Sequence, residues 1–408
     1  MELIFLVGMG EGKKIAGTEG GKAALKNNQF TCRFKGGQYE NRLILSLSKL
    51  IVQLPHDLKI KLIFNFQNKI KHMKNSRYFI LPLAFALLQS CAANMGYTGS
   101  AFKKSYESIT SEELKTHLYI VAADDMEGRD TGSEGQKKAG KYLIEQYKKM
   151  GVSHPQSMAS FYQHIPAEAL KGRRGNLPSS ENILAYIPGS EKPEELIVVS
   201  AHYDHVGMSN GQIYNGADDD GSGTVALLEM AEAFQLAKKA GKGPKRSILF
   251  LHVTGEEKGL LGSKYYADHP IFPLANTVAN LNIDMIGRCD APNCGKDYVY
   301  VIGSEMLSSD LKKISETANK TTTNLELNYK YDDPNDKDRL YYRSDHYNFA
   351  KNGIPVIFYF DGIHEDYHKP SDTPDKIDYI ALKKRTQLVF ATAWELANRK
   401  DRIAVDKK

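Results

Sequence analysis

The fold is indicated by the stretch Leu196-Ile197-Val198-Val199-Ser200-Ala201-His202-Tyr203-Asp204-His205. An apolar run typical of a buried β-strand leads directly into two histidines and an aspartate. Polar side chains that follow a strand in this way are expected at the edge of an open α/β sheet where ligands bind. The same transition recurs further along the chain, so one pattern predicts both the fold and the place of a site.

Strand-like and helical patterns alternate from residue 182 onward. The predicted strands are 183–187, 196–200, 248–253, 278–286, 299–302 and 356–360, and the predicted helices are 225–236, 260–266, 306–318 and 379–398. Two earlier helices begin at the capping box Thr110-Ser111-Glu112-Glu113 and after the glycine-rich turn at 128–132. We therefore predict an α/β fold: a single domain over 108–400 with a mostly parallel mixed sheet covered by helices on both faces.

A secretion signal is predicted over 73–91. Met73 is followed by Lys74 and Arg77, then by a short apolar core and Gln89-Ser90-Cys91. The apolar core is too short to span a bilayer stably. The segment resembles a bacterial lipoprotein signal, which implies export to the cell envelope as a periplasmic or outer-membrane lipoprotein with a lipid anchor at Cys91. A buried helix within a longer domain is the alternative.

The interpretation of the neighbouring segments depends on this signal. If Met73 is the true start, residues 1–72 are upstream sequence translated in error and not part of the fold, and a genuine N-terminal extension is the alternative. Residues 92–107 are predicted to be a polar tether, and 401–408 a C-terminal tail.

The composition is that of a globular protein. The chain is 41% hydrophobic and 25% charged with a net charge of +5, and its lysines form no dense block, so nucleic acid is not expected as a partner. Cys289 and Cys294 lie close together in one loop. Their spacing suits a disulfide in an oxidising compartment, with two free thiols as the alternative.

A divalent metal centre is predicted from the carboxylates and imidazoles. Three adjacent carboxylates in Asp218-Asp219-Asp220 repel one another, and a cation offsets this better than a helix N-terminus does. The charges of Asp219, Glu257 and Asp284 with one hydroxide balance two Zn²⁺ ions, while His202 and His368 bind as neutral imidazoles. Asp219 would bridge, with His202 and Asp284 on one ion and Glu257 and His368 on the other.

Two further carboxylates have predicted roles beside the metals. Asp204 lies two residues after His202, where it could accept the second ring N–H of that histidine and fix its tautomer. Glu256 precedes a ligand and is not needed for charge balance, so it is free to act as general base and acid.

These residues also carry a family resemblance. The pattern His-x-Asp, Asp-Asp-Asp-Gly-Ser-Gly, Glu-Glu, an aspartate after an apolar strand, and Tyr367-His368 resembles the secreted dizinc aminopeptidases, from about residue 118 to 380. Their wider family includes glutamate carboxypeptidases and glutaminyl cyclases. The resemblance implies the zinc-exopeptidase fold, the metal ligands above, Asp204 as orienting carboxylate and Glu256 as base. It also implies Tyr367 as a hydroxyl donor to the oxyanion and Arg343 as a substrate contact. Asp218 stands where asparagine is commoner, so the ligand within the triple stays open.

The expected function is an exported zinc aminopeptidase that acts on peptides, with metal-bridged hydroxide as nucleophile and cobalt or manganese as substitutes for zinc. A carboxypeptidase or dipeptidase on the same site is one alternative, for which Arg343 would bind a substrate carboxylate. A metal-free binding lipoprotein is the alternative from another class. The oligomeric state is not predicted.

Overall fold

The computed structural model describes residues 2–6, 22–26, 29–33 and 96–407, apart from 173, 174 and 334. The chain divides into two compact units, Met1–Ser90 and Cys91–Lys408. The described residues of the first unit form three antiparallel strands, β1 (Glu2–Leu6), β2 (Lys22–Lys26) and β3 (Gln29–Arg33), with β3 in the middle. The proposed signal over 73–91 lies outside the described residues, and the origin of residues 1–72 stays a prediction.

The second unit contains helices and strands in alternation. Its helices are α1 (Ser100–Ser108), α2 (Ser111–Val121), α3 (Glu134–Met150), α4 (Gly223–Lys239), α5 (Leu261–Asp268), α6 (Ser309–Thr321), α7 (His346–Ala350) and α8 (Tyr379–Asn398). Its strands are β4 (Tyr162–Ile165), β5 (Lys171–Gly172), β6 (Gly175–Asn176), β7 (Ser180–Ile187), β8 (Lys192–His202), β9 (Gly207–Ser209), β10 (Gln212–Tyr214), β11 (Arg246–Val253), β12 (Thr277–Ile283), β13 (Tyr298–Ile302), β14 (Glu326–Asn328) and β15 (Val356–Phe360).

Eight strands of this unit form one sheet in the order β14-β13-β15-β12-β8-β11-β7-β4. The four central strands β15, β12, β8 and β11 run parallel to one another, and antiparallel pairs flank them on both sides. The short strands β5–β6 and β9–β10 form two separate hairpins. The predicted mixed, mostly parallel α/β sheet is confirmed.

Strand β8 shows why both faces of the sheet must be covered. Its side chains alternate between the faces: Ile197 and Val199 pack into the core beneath the long helices, while Leu196 and Val198 pack into the core beneath α5 and α7. All four are at most 1% exposed. A strand that is apolar on both faces is typical of the centre of a parallel sheet, so the helices lie on both faces as predicted.

Three boundaries differ from the prediction. The predicted tether contains helix α1, whose Phe102 is buried against Phe390 and Trp394 of α8 with ring centroids 5.9 and 5.5 Å apart. Strand β12 ends at residue 283 instead of 286, because Met285 adopts a left-handed conformation (φ 62°) that a strand cannot continue through. Helix α6 starts three residues late, where the Ser308 side chain accepts the N–H of Leu311.

The described residues show two further features. Cys289 and Cys294 are joined by a disulfide, which confirms the predicted pairing. Among the residues that the structure describes, no helix combines the length and apolar character needed to cross a membrane.

One buried carboxyl group makes the stability of the domain depend on pH. The Glu229 side chain is fully buried on α4, with its carboxylate 3.7 Å from His117 Nε2 and 3.4 Å from the N–H of Thr110. Burial raises the pKa of Glu229 to about 8, and the nearby charge of Glu113 adds to the rise. The ordinary pKa of 4.5 applies to the unfolded chain, so folding favours the protonated form. The stability that protonated Glu229 contributes to the folded domain is fully present below pH 4.5. It is lost as the pH rises through about 8.

We expect Glu229→Gln to remove this loss, because an amide stays neutral at every pH. The variant should exceed the wild type in free energy of unfolding by several kcal/mol at pH 9, since each unit of pKa shift corresponds to about 1.4 kcal/mol. At pH 5 the difference should nearly vanish. Urea unfolding at both pH values measures it, with the exposed Glu112→Gln as control. An equal difference at pH 5 and pH 9 would show that Glu229 does not titrate in this window.

Candidate metal centre

Six predicted side chains meet at one edge of the large sheet. Each lies in a segment that follows a central parallel strand or precedes helix α4, and these segments converge where the parallel strands end. The residues are His202 at the end of β8, Glu256 and Glu257 after β11, Asp284 after β12, His368 after β15, and Asp219 before α4. The expected convergence of distant segments is therefore present.

Asp219 lies between the two predicted histidine ligands. Its Oδ1 is 3.2 Å from His202 Nε2, and its Oδ2 is 3.0 Å from His368 Nε2. His202 Nε2 is also 3.5 Å from Asp284 Oδ1, and His368 Nε2 is 3.0 Å from Glu257 Oε2. The two oxygens of one carboxylate thus face two separate groups of ligands, in the pairing that the sequence predicted.

Several buried polar atoms of this centre lie close together without hydrogen-bond partners. Within the described part of the chain, His202 Nε2, Asp219 Oδ2 and Glu257 Oε1 are buried and have no hydrogen-bond partner, although each has a polar neighbour within 4 Å. Buried polar groups are normally paired. Imidazole nitrogens and carboxylate oxygens that converge without pairing are what a metal ion would satisfy, and this mixture of donors suits zinc.

The charge of the centre also calls for a cation. Burial by itself lowers the pKa of His368, but the carboxylates of Asp219 and Glu257 outweigh it and raise that pKa to about 10. Glu256 and Asp284 bring two more carboxylates to the same cavity. So many anions gathered at the edge of a buried core are stabilised far better by a divalent ion than by one imidazolium.

Polar contacts from a second loop hold the chain at Asp219. The Asp372 carboxylate accepts the N–H groups of Asp218 and Asp219 at 3.0 to 3.2 Å. The fully buried Arg129 guanidinium donates to the carbonyl oxygens of Tyr203 and Gly216, which joins the segment after β8 to the segment before α4. These contacts fix the position of the central carboxylate before any ligand binds.

The structure distinguishes the three adjacent aspartates. Asp218 faces away from the ligands, since its Oδ1 accepts the N–H of Gly287 at 2.6 Å and its Oδ2 lies 3.2 Å from His364 Nε2. Asp220 lies near His202 and Asp284 but accepts the N–H groups of His202, Gly223 and Met285. Its lone pairs are therefore largely engaged by the backbone, and Asp219 is the member of the triple that is free to bridge.

Asp284 is held by a serine that the sequence did not single out. Ser344 Oγ donates to Asp284 Oδ2 at 2.6 Å and in turn accepts from the Asn282 amide at 2.8 Å. The segment containing Arg343 therefore also orients a predicted metal ligand. Fixing a ligand carboxylate through a hydrogen bond is typical of well-formed metal sites.

The predicted role of the Asp204 carboxylate is corrected by the geometry. His202 Nδ1 lies 3.0 Å from the main-chain oxygen of Asp204, whereas the carboxylate Oδ1 is 3.8 Å away. That carboxylate instead accepts from Thr131 Oγ1 at 2.9 Å and from the N–H of Glu256 at 3.2 Å. Asp204 thus orients the His202 ring through its carbonyl group, and its side chain positions the loop that contains Glu256.

An open cavity lies beside the centre. Its polar part includes Glu256, Arg343 and Tyr367, which places all three predicted catalytic or substrate residues other than Asp204 beside the metal ligands. Its apolar part is lined by Met285, Leu340, Phe358, Phe360 and Ile363. Burial raises the pKa of the Tyr367 hydroxyl, so this group stays protonated and able to donate. The cavity therefore combines anionic and donor groups with room for an apolar side chain.

His205 is a site residue that the sequence interpretation missed. Its ring is fully buried, and its Nδ1 lies 2.9 Å from Glu257 Oε1 and 3.8 Å from Asp219 Oδ2. His205, Asp219 and Glu257 each offer a ligand atom within 4.8 Å of the others. A second histidine within the segment that already supplied His202 was the available signal.

Comparison with known proteins agrees with this geometry. The sequence pattern described as Peptidase family M28 matches residues 182–393, which is 212 of the 408 residues. A probable leucine aminopeptidase of Arthroderma benhamiae is 33% identical over 224 residues, which make up 53% of this chain and 57% of that protein. The chain thus spans little more than half the length of this curated relative.

Two solved structures have the same fold. BSAP, a zinc aminopeptidase from Bacillus subtilis, is 18% identical with a TM-score of 0.53, covering 74% of this chain and 99% of that one. The glutaminyl cyclase of Porphyromonas gingivalis is 20% identical with a TM-score of 0.53, covering 70% of this chain and 97% of that one. Both matches extend over nearly the whole of the smaller protein, so the second unit has the complete fold.

Proposed function

Since the chain belongs to peptidase family M28, we propose that it is an exported, zinc-dependent aminopeptidase that removes N-terminal residues from peptides. The observation that carries the proposal is the position of Asp219, whose two carboxylate oxygens face His202 and His368 separately. A single carboxylate between two ligand groups is the arrangement that a pair of metal ions requires.

The ligand residues divide into two sets that share Asp219. His202 and Asp284 complete the first set, and Glu257 and His368 complete the second. When bound there, zinc supplies a Lewis acid for the scissile carbonyl and lowers the pKa of a water molecule. Ser344 and the carbonyl of Asp204 keep the first set oriented through their hydrogen bonds to Asp284 and His202.

Glu256 is the residue placed to move the proton. Its side chain is 12% exposed in the cavity, and its Oε2 is 4.0 Å from His202 Nε2. Burial raises the pKa of Glu256, and the neighbouring charges of Asp284 and Glu257 add to the rise. From this position the Glu256 carboxylate can take a proton from the attacking water and deliver it to the leaving amine.

The remaining cavity residues bind the substrate. The apolar wall around Met285 and Phe358 fits an apolar side chain on the first residue of the substrate. The exposed guanidinium of Arg343 lies at the rim of the same cavity. The protonated Tyr367 hydroxyl is available to the oxyanion of the tetrahedral intermediate. We therefore propose peptides with an apolar N-terminal residue as substrates.

Arg343 also supports a second candidate, a carboxypeptidase or dipeptidase on the same frame. It is the cationic residue among those that line the described cavity, and a substrate carboxylate would bind it. The two functions differ in which end of the peptide must be free.

The aminopeptidase proposal is tested with two matched peptides, one with a free N-terminus and one acetylated. The enzyme should cleave the free peptide from its N-terminal end and leave the acetylated peptide intact. Chelation should abolish cleavage, and zinc or cobalt should restore it. Release of the C-terminal residue from the acetylated peptide would favour the carboxypeptidase. A purified protein without bound metal and without cleavage of either peptide would favour a binding lipoprotein.

Export and lipid anchoring at Cys91 complete the proposal. The signal-like segment over 73–91 supports them, as does the Cys289–Cys294 disulfide, because such bonds persist in oxidising compartments. The role would be peptide scavenging at the cell envelope. Mass spectrometry of the native protein would find an acylated Cys91 as its first residue, and an intact N-terminus at Met1 would contradict this.

A further inference from the structure

His205 is held rigidly beside the second ligand set. The main-chain N–H of His205 donates to the carbonyl oxygen of Arg129 at 3.0 Å. The His205 ring packs so closely against Gly216 that a Cβ added to Gly216 would lie 2.5 Å from the imidazole. The ring is also edge-on to His368, with centroids 5.7 Å apart. The fully buried imidazole is therefore held in one place beside the second ligand set.

That place is shared with the ligand atoms of Glu257 and Asp219. His205 Nδ1 is 2.9 Å from Glu257 Oε1, yet neither atom has a hydrogen-bond partner in the described part of the chain. Together with Asp219, these two residues offer ligand atoms that all lie within 4.8 Å of one another, so a single cation could contact all three. This is the arrangement of ligands around one metal ion.

We propose that His205 Nδ1 is a protein ligand of the metal ion held by Asp219, Glu257 and His368, an inference that rests on the proposed dizinc function. Two imidazoles and two carboxylates would then hold the second ion, one protein ligand more than at the first set. His202, Asp219 and Asp284 would hold an ion at the first set, which would leave a fourth position for water or substrate. The two sites are therefore unequal, and the second should hold its ion more tightly.

The wild-type protein provides the first test, which does not depend on any substitution. X-ray absorption of the protein loaded with zinc at both sites should show imidazole scattering from three histidines for two ions. Scattering that accounts for two histidines would overturn the proposal. A protein that binds no zinc would overturn the proposed function as well, so the two failures are distinguishable.

His205→Asn provides the second test, because asparagine retains a polar atom near the position of Nδ1 but is a poor zinc ligand. Zinc titration against a chromogenic chelator should show the tighter site weakened by more than about 100-fold, because losing an indirect contact to a ligand costs only about 10- to 100-fold. The affinity of the weaker site should not change. The matched control is His252→Asn: His252 is equally buried, pairs with the Tyr147 hydroxyl at 2.7 Å, and should leave both affinities intact.

Two outcomes of the titration contradict the proposal. One is a wild-type affinity at both sites in a folded His205→Asn protein, which would make His205 a packing residue. The other is an equal loss in His205→Asn and His252→Asn, which would attribute the effect to general destabilisation. Thermal unfolding of each variant in the presence of chelator identifies the second outcome.

Discussion

Replacing Glu256 with glutamine should lower kcat by about 100- to 10,000-fold, the range that a positioned general acid or base contributes. The amide has the size of the carboxylate but cannot accept a proton from water. Glu256 is not among the residues whose oxygens face His368 or pair with Asp219, so zinc content and thermal stability should stay at wild-type values. Steady-state kinetics with zinc analysis of the same preparation measures both. Glu256→Ala should give the same loss of turnover with both metals and the fold retained.

The control for this prediction is Glu365→Gln. Glu365 is an exposed carboxylate in the loop that leads to His368, and its neutralisation changes the net charge by the same amount. Its kcat should match that of the wild type. Full activity of Glu256→Gln would refute the role of Glu256, and a loss of zinc in that variant would make it a metal ligand instead.

Replacing Asp219 with alanine should remove both zinc ions and all measurable activity. The bridging carboxylate contributes one oxygen to each ligand set, so its loss weakens the two sites together, by more than the roughly 10- to 100-fold cost of losing an indirect contact. Equilibrium dialysis with zinc quantification measures this. His368→Ala, which belongs to the second set alone, should instead weaken one ion and spare the other.

Asp218→Asn is the matched control for Asp219. The amide oxygen of asparagine can still accept the N–H of Gly287, the contact that Asp218 makes at 2.6 Å. Both zinc ions should remain bound. If Asp219→Ala retained both ions and Asp218→Asn lost them, Asp218 would be the bridge and the assignment to Asp219 would be wrong.

The convergence of the proposed ligands could be predicted from the sequence because it follows from topology. Residues that come directly after central parallel strands must meet at one edge of the sheet, so Glu257 and Asp284 are brought together by the order of β11, β8 and β12 alone. Charge balance required three ligand carboxylates, and Asp219 was the predicted bridge although the choice within the triple stayed open. The structure adds the reason that Asp218 is excluded, which is its contact with the backbone of Gly287.

The parts that escaped prediction depend on contacts made by the backbone or by packing. The acceptor for His202 Nδ1 is a main-chain oxygen, which every residue type offers, so nothing in the identity of Asp204 could distinguish it from the carboxylate. His205 lies within the stretch 196–205, but its inward-turned ring is a result of packing, as its full burial and the close approach of Gly216 show. Helix α1 has a polar sequence in which Phe102 is the main buried anchor, and such a weak apolar pattern resembles a tether.

The central claim is that the oxygens of Asp219 separate two zinc ions. Anomalous diffraction at the zinc edge, from crystals of the full chain grown with zinc, tests it most directly. We expect two peaks about 3.5–4 Å apart, one between Asp219 Oδ1 and His202 and the other between Asp219 Oδ2 and His368. A single peak, or peaks that do not touch Asp219, would contradict the account.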